Sequence, residues 1–110
     1  MMHTSTEEAV FKIDRFVVPA AARDEFLART RSIRDFLDAQ DGCLQNMVLE
    51  QPGVADTSNV ITVVEWRDAD AFAKARAAAA ARYALTGFKP QELINRLGIK
   101  AEMANYGLVS

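Results

Sequence analysis

The chain has 110 residues, half of them apolar and a quarter charged, with 13 Lys and Arg against 15 Asp and Glu and a formal net charge of −2. Such a length fits one domain with a modest core and little capacity to enclose a large ligand alone, and the composition is that of an ordinary soluble globular protein rather than a disordered one. Acidic and basic residues are interspersed, so no broad positive field is expected to hold a phosphate backbone, which argues against a nucleic-acid partner.

Cys43 is the only cysteine, which rules out an intramolecular disulfide and a cysteine-rich metal site, and suits a reducing cytoplasm. The opening "MMHTSTEEAV" carries acidic residues where a signal peptide would carry positive charge and then an apolar run, and no segment approaches transmembrane length, so no membrane partner is expected. Residues 1–9 are expected to be a flexible N-terminal tail and residues 10–110 a single domain. The only histidine, His3, falls in that tail and is expected to have no catalytic role.

The elements follow in a definite order. "VFKIDRFVV" alternates with period two and predicts a strand. Pro19 and three alanines then lead into a helix that places Phe26, Leu27, Thr30, Ile33, Phe36 and Leu37 on one face. Asp41-Gly42 closes that helix, and "CLQNMVLEQ" and "NVITVVEW" read as two strands joined across the turn-rich "PGVADTS". Asp68 is placed to cap a second helix through its carboxylate, Asp70 complements the positive end of its dipole, and Gly87 ends it. The alanine run of this helix predicts a thin rod packed close to the sheet. "PQELINRLG" is a short helix with Pro90 near its start, and "IKAEMANYGLVS" supplies the last strand. The order β-α-β-β-α-β is an α+β, ferredoxin-like arrangement with an antiparallel sheet.

Each strand presents two unlike phases. Phe11, Ile13, Val17, Cys43, Met47, Leu49, Ile61 and Val63 form a mostly apolar phase, with Gln45 as the exception, and are expected to pack against the helices. The other phase mixes Lys12, Asp14, Asn46, Glu50 and Thr62 with Phe16, Leu44, Val48, Val64 and Trp66. It is expected to form the bare face of the sheet. Apolar residues on such a face imply a cover, so a homodimer buried through Phe16, Val48, Val64 and Trp66 is the expectation, with the polar residues marking an incompletely filled cavity.

The stretches "FKIDRFVVPAAARDEFL", "QDGCLQNMVLEQ" and above all "VVEWRDADAFAKA" resemble the antibiotic biosynthesis monooxygenase family, in a pattern running from about Val10 to Leu108. The resemblance implies a dimeric α/β barrel of two sheets packed face to face, a pocket between sheet and helices or inside the barrel, and often a monooxygenase that works without metal or flavin. With no His/Cys ligand cluster, glycine-rich nucleotide loop or helix histidine, no bound metal, flavin or haem is expected. An electron-rich phenol, once deprotonated, can itself reduce O2, so the protein has to orient the ring, assist proton loss and stabilise the oxyanion in a dry site.

In the branch that oxidises polyketide anthrones, the strand tryptophan is accompanied by an asparagine four residues earlier and a tyrosine six residues later; here Trp66 is kept and those positions are Thr62 and Phe72. Thr62 retains a hydroxyl donor, and Phe72 has none. The arginine of that pattern falls nearest to Arg82. In the haem-degrading branch an asparagine on the first strand joins a tryptophan and a histidine on the second helix, where this chain has Asp14, Ala75 and Leu85, so haem degradation is not expected. The expected catalytic set is therefore Trp66, Thr62, Asn46 and Arg82, with Asp14, Phe16, Val64 and Phe72 lining the pocket. Trp66 is expected to be a wall for a small planar aromatic ligand, since an indole has one N–H donor and nothing that titrates near neutrality.

Each of these residues also has a structural reading: Trp66 as a plug between strand and helix, Asn46 as a hydrogen bond across the dimer, one of Arg82 and Tyr83 as solvent-facing. Arg23, Arg29, Arg31 and Arg34 read as a solvated helix side paired with Asp24, Glu25, Asp35 and Asp38, and Glu65 and Arg67 as caps of the sheet edge. No carboxylate pair or Ser/His/Asp set is arranged for hydrolysis, and "NVITVVEW" lacks the aromatic motif of an RNA-recognition strand. The alternative to an enzyme is a non-catalytic ligand-binding or dimerisation module on the same barrel.

Overall fold

The computed structural model describes residues 5–109, so His3 and the expectation attached to it lie outside the described residues. Strand β1 (Val10–Pro19) is followed by a single 3-10 turn (Ala20–Ala22) and helix α1 (Arg23–Asp38). Strands β2 (Cys43–Pro52) and β3 (Thr57–Trp66) form a hairpin; helices α2 (Ala69–Thr86) and α3 (Pro90–Arg96) and strand β4 (Lys100–Gly107) complete the chain. The sheet is antiparallel in the order β2-β3-β1-β4, the α+β ferredoxin-like topology in which each helix crosses from one strand to another with a third between them.

Local chemistry accounts for the breaks between elements. Asp68 caps α2 by accepting a hydrogen bond from the Ala71 N–H at 2.8 Å, and Gly87 ends it in the left-handed region at φ 72°. Gly42, at φ 87°, sits where the loop after α1 meets the start of α2. Its carbonyl accepts from the Arg67 N–H at 2.8 Å, and a Cβ there would lie 2.5 Å from the Ala71 Cβ, so only glycine lets the two segments approach. The β2–β3 hairpin turns through Ala55 and Asp56, both with positive φ, closed by Thr57 N–H donating to the Val54 carbonyl at 3.2 Å.

The register reverses the expected assignment of sheet faces. Lys12, Asp14, Phe16 and Val18 of β1 stand beside Val64, Thr62, Val60 and Ser58 of β3, and Asn46 and Val48 of β2 beside Val64 and Thr62. This phase, expected to be bare, faces the helices: Phe16, Val18 and Val60 pack with Ala22, Phe26, Leu27, Ile94 and Ile99, while Val64 and Trp66 pack with Ala71 and Ala75. Phe11, Ile13, Val17, Met47, Leu49, Ile61 and Val63, expected under the helices, form the outer face, where Met47 is 40% and Leu49 48% exposed. A bulge between Cys43 and Gln45 shifts Cys43 out of the phase of Met47 and brings it against the Trp66 cluster. Gln45 stands opposite Glu65 and donates to its carboxylate at 2.7 Å; Glu65 is fully buried, whereas Arg67 is exposed and pairs with Asp41 at 3.2 Å.

No helix among the described residues is long and apolar enough to cross a membrane.

Candidate functional site

The two core clusters occupy opposite ends of the inner sheet face, and the rows between them are the polar ones. Asp14 stands beside Thr62 and Lys12 beside Val64, with Asn46 next along the same row. Large side chains fill the space above each end. Above the middle, α2 presents alanines, and a cavity of about 370 Å³ is left between sheet and helices. The alanine helix therefore touches the sheet closely only through its first turns, at Ala71 and Ala75; Ala79 and Ala80 form a cavity wall, and Ala77 and Ala81 are exposed. The expected close packing on the sheet is met at these first turns, and beyond them the helix roofs a void.

The walls are largely apolar and aromatic. Phe16 and Phe26 meet with ring centroids 5.0 Å apart on one side; Phe72 lies on the other, and Phe88 closes the region after α2. Asn46 donates from its amide to the Arg34 carbonyl at 2.8 Å, so its hydrogen bond runs to α1 of its own chain. Thr62, Val48 and Val64 floor the cavity, and Met103 of β4 reaches it from the sheet's other edge. Asp14 is 8% exposed; one carboxylate oxygen, Oδ2, accepts from the Lys12 ammonium, and the other, Oδ1, is buried without a hydrogen-bond partner among the described residues.

Of the eight expected site residues, six meet around this cavity: Thr62, Asn46, Asp14, Phe16, Val64 and Phe72. Trp66 and Arg82 do not. Trp66 is 2% exposed and lies behind the wall, packed against Val64, Ala71 and Ala75, with its ring 6.5 Å from that of Phe72. Arg82 points away, its guanidinium 4.8 Å over the Phe36 ring beside a separate small pocket of about 60 Å³.

Its neighbour Tyr83 turns inward instead and meets Phe88 edge-on at 5.3 Å. Burial pushes the Tyr83 hydroxyl above its ordinary value, against a smaller lowering from Arg82 and Arg29, so near neutrality it stays a protonated donor. This residue was legible: counted from Phe72, the inward stripe of α2 passes through Arg76 and Ala79 and arrives at Tyr83, not Arg82.

Two arginines of the expected solvated set border the cavity as well. Arg29 lies 4.1 Å over the Phe88 ring and Arg34 pairs with Asp35 at 3.5 Å; Arg76, on α2, lies 5.6 Å over Phe72. Neither Arg29 nor Arg76 has a carboxylate within 4.0 Å among the described residues. Arg23 binds Glu50 of β2 rather than only its helix neighbour, at 2.6 and 2.8 Å, and Glu25 pairs with Arg96 of α3.

The chain thus combines an antiparallel four-stranded α+β, ferredoxin-like fold with a mostly apolar cavity between sheet and helices. Residues 9–85 match the family model of the antibiotic biosynthesis monooxygenases, and the chain belongs to that family. Its fold is similar to that of SnoaB, a cofactor-independent oxygenase from Streptomyces nogalater, at 22% identity over 94% of this chain and 95% of that one, with a TM-score of 0.59. It is also similar to a protein of Shewanella loihica PV-4 proposed to be a monooxygenase, at 23% identity over 96% and 99% of the two chains and a TM-score of 0.67. A protein of Shewanella oneidensis, SO0527, shares the fold at 13% identity over 96% and 95%, with a TM-score of 0.68. No curated protein matches the chain.

Proposed function

We propose that the protein is a cofactor-independent monooxygenase acting on a small aromatic, phenolic substrate of the polyketide type, within a homodimer formed through the outer sheet face. The observation that carries this reading is the cavity of about 370 Å³, whose walls are aromatic and whose polar groups converge from the sheet floor and from Tyr83. Phe72, Phe88 and Phe26 suit the faces and edges of a flat ring. Thr62, Asn46 and Tyr83 supply hydrogen bonds to ring oxygens among mostly apolar walls, so those bonds hold the substrate in one orientation and favour charge developing on oxygen. The oxidant is O2 itself. For a ring CH2 flanked by phenolic rings, one oxygen atom becomes the new carbonyl and the other leaves as water, with the two hydrogens of the CH2. SnoaB, of the same fold, is a cofactor-independent oxygenase, which supports this class of chemistry.

A second reading, a ligand-binding module without turnover, is favoured by one observation: Phe72 stands in the cavity wall where the anthrone-oxidising pattern has a tyrosine, and it can donate no hydrogen bond. One experiment separates the two. The metal-free protein is mixed with a dihydroxyanthrone in air-saturated buffer, and oxygen uptake and quinone absorbance are followed together. Catalysis requires both to rise in step above the rate without protein. Binding of the anthrone with no acceleration would leave the module.

A further inference from the structure

The group in the cavity with an unmet need is Asp14. Its residue is 8% exposed, its Oδ2 is held by Lys12, and its Oδ1 is buried with no donor among the described residues. Removing a carboxylate oxygen from water without replacing the lost hydrogen bonds is costly, and buried polar groups are nearly always satisfied. Among the described residues nothing answers this demand. Asp14 lies on the inner row with Thr62, between Met103 on one side and Val48 beyond Thr62 on the other, and lines the cavity. Lys12, two residues along the same strand and on the same face, fixes one oxygen and balances the charge.

We propose that Asp14 is the specificity-determining residue of the cavity, and that it selects ligands carrying a free hydroxyl donor on the aromatic ring. The inference rests on the reading of the cavity as a site for a phenolic aromatic. Rotation about the last torsion moves both carboxylate oxygens together, and the Lys12 ammonium, on a flexible stem, can follow Oδ2, so Oδ1 can turn from its present closed position to meet an entering O–H. That O–H donates to the carboxylate, a charge-assisted hydrogen bond, and the ring of the ligand lies against Phe72 and Val48. A ligand with an ether or a bare C–H in that place leaves the carboxylate as unsatisfied as before and gains nothing. A ligand with a second carboxylate there meets like charge. The preference therefore comes from a cost already present in the empty site rather than from added contact area, which is how a buried polar group rejects analogues lacking the matching partner.

The test is calorimetric titration of the full-length protein with naphthol and with methoxynaphthalene, which share a ring system and differ in the donor. The parent protein is expected to prefer naphthol by about tenfold or more, as expected for a hydrogen bond to a charged group. In Asp14→Leu, checked for native circular dichroism, that preference is expected to disappear. Should Asp14→Leu fail to fold, Asp14→Asn keeps the shape, loses the charge and is expected to reduce the preference. The idea is overturned if the parent does not discriminate, or if discrimination is unchanged in whichever variant folds. Oxygen uptake with the anthrone separates this from the reaction: Asp14-dependent discrimination without uptake refutes the monooxygenase reading and leaves the selection standing. Uptake with discrimination indifferent to Asp14 does the reverse.

Discussion

Trp66 shows how one side chain can serve a cavity without touching it. Its indole is buried between Val64 and the first turns of α2, and it backs Phe72, which does face the void. Trp66→Phe should keep the fold and most ligand affinity, whereas Trp66→Ala should cost about 3–5 kcal/mol of stability, as deletion of a buried aromatic ring does, and let Phe72 collapse backward. Urea unfolding of both variants checks this; a Phe variant that folds normally but loses ligand binding would mean the indole itself is needed. The neighbours Arg82 and Tyr83 divide in the opposite sense to the expectation. Tyr83→Phe should weaken binding of hydroxylated ligands while sparing the fold, and Arg82→Ala should change binding little, because its guanidinium sits over Phe36 outside the cavity. Titration with naphthol measures both, and a larger loss in Arg82→Ala would reassign the inward position. Tyr83 was readable from helical period alone, while the resemblance drew attention to an arginine whose register it did not fix.

At the scale of elements, what holds α1 to the sheet is partly electrostatic. Arg23 at the start of α1 grips Glu50 of β2 with two hydrogen bonds, and Ser58 of β3 donates to the same carboxylate at 2.5 Å. The Arg23 hydrogen bonds first, and Ser58 second, pull Glu50 from an ordinary 4.5 down to about 2. A carboxyl whose folded value is depressed binds protons more readily when unfolded, so its stabilisation is present above about pH 4.5 and is lost as pH falls toward 2. Glu50→Gln should therefore flatten the acid side of the stability curve between those values, by an amount that shrinks in high salt because the pair is part-exposed. Thermal melts of parent and variant across that window make the comparison; parallel curves would mean the link contributes nothing. This link could not be read from the sequence, since Arg23 and Glu50 are far apart in the chain and the helix offered nearer acids. The element order was legible throughout, because strands and helices carry different periods and the breaks carry Pro19, Gly42 and Gly87. The bulge at Leu44 was not, because an added residue in a strand leaves no mark on an already mixed pattern.

For the whole molecule, the inverted sheet faces follow from one physical circumstance: both faces of the sheet are partly apolar, and the side under the helices holds a cavity that tolerates polar groups. The rule that the more apolar phase lies inside assumes a filled core on one side and water on the other. Here the cleaner apolar phase, Phe11, Ile13, Val17, Met47, Leu49, Ile61 and Val63, lies where no helix packs, and a contiguous apolar surface of that kind is expected to be covered by a partner. In the proposed homodimer, a second copy would supply the same face by two-fold symmetry and close two open sheets into a barrel. The inversion changes which substitution should break such a dimer. Val64 is 5% exposed in the inner core, so Val64→Asp would force a carboxylate into the apolar packing of Trp66, Ala71 and Ala75 and should unfold the chain. Leu49 is 48% exposed in the single chain, so Leu49→Asp should leave the protomer folded and place its charge against the partner's apolar face. Sedimentation velocity at micromolar concentration is expected to show a dimer for the parent and a monomer for Leu49→Asp, with unchanged circular dichroism in the latter. A monomeric parent, or a Leu49→Asp protein that remains dimeric, would remove the outer face as the interface and with it the closed barrel.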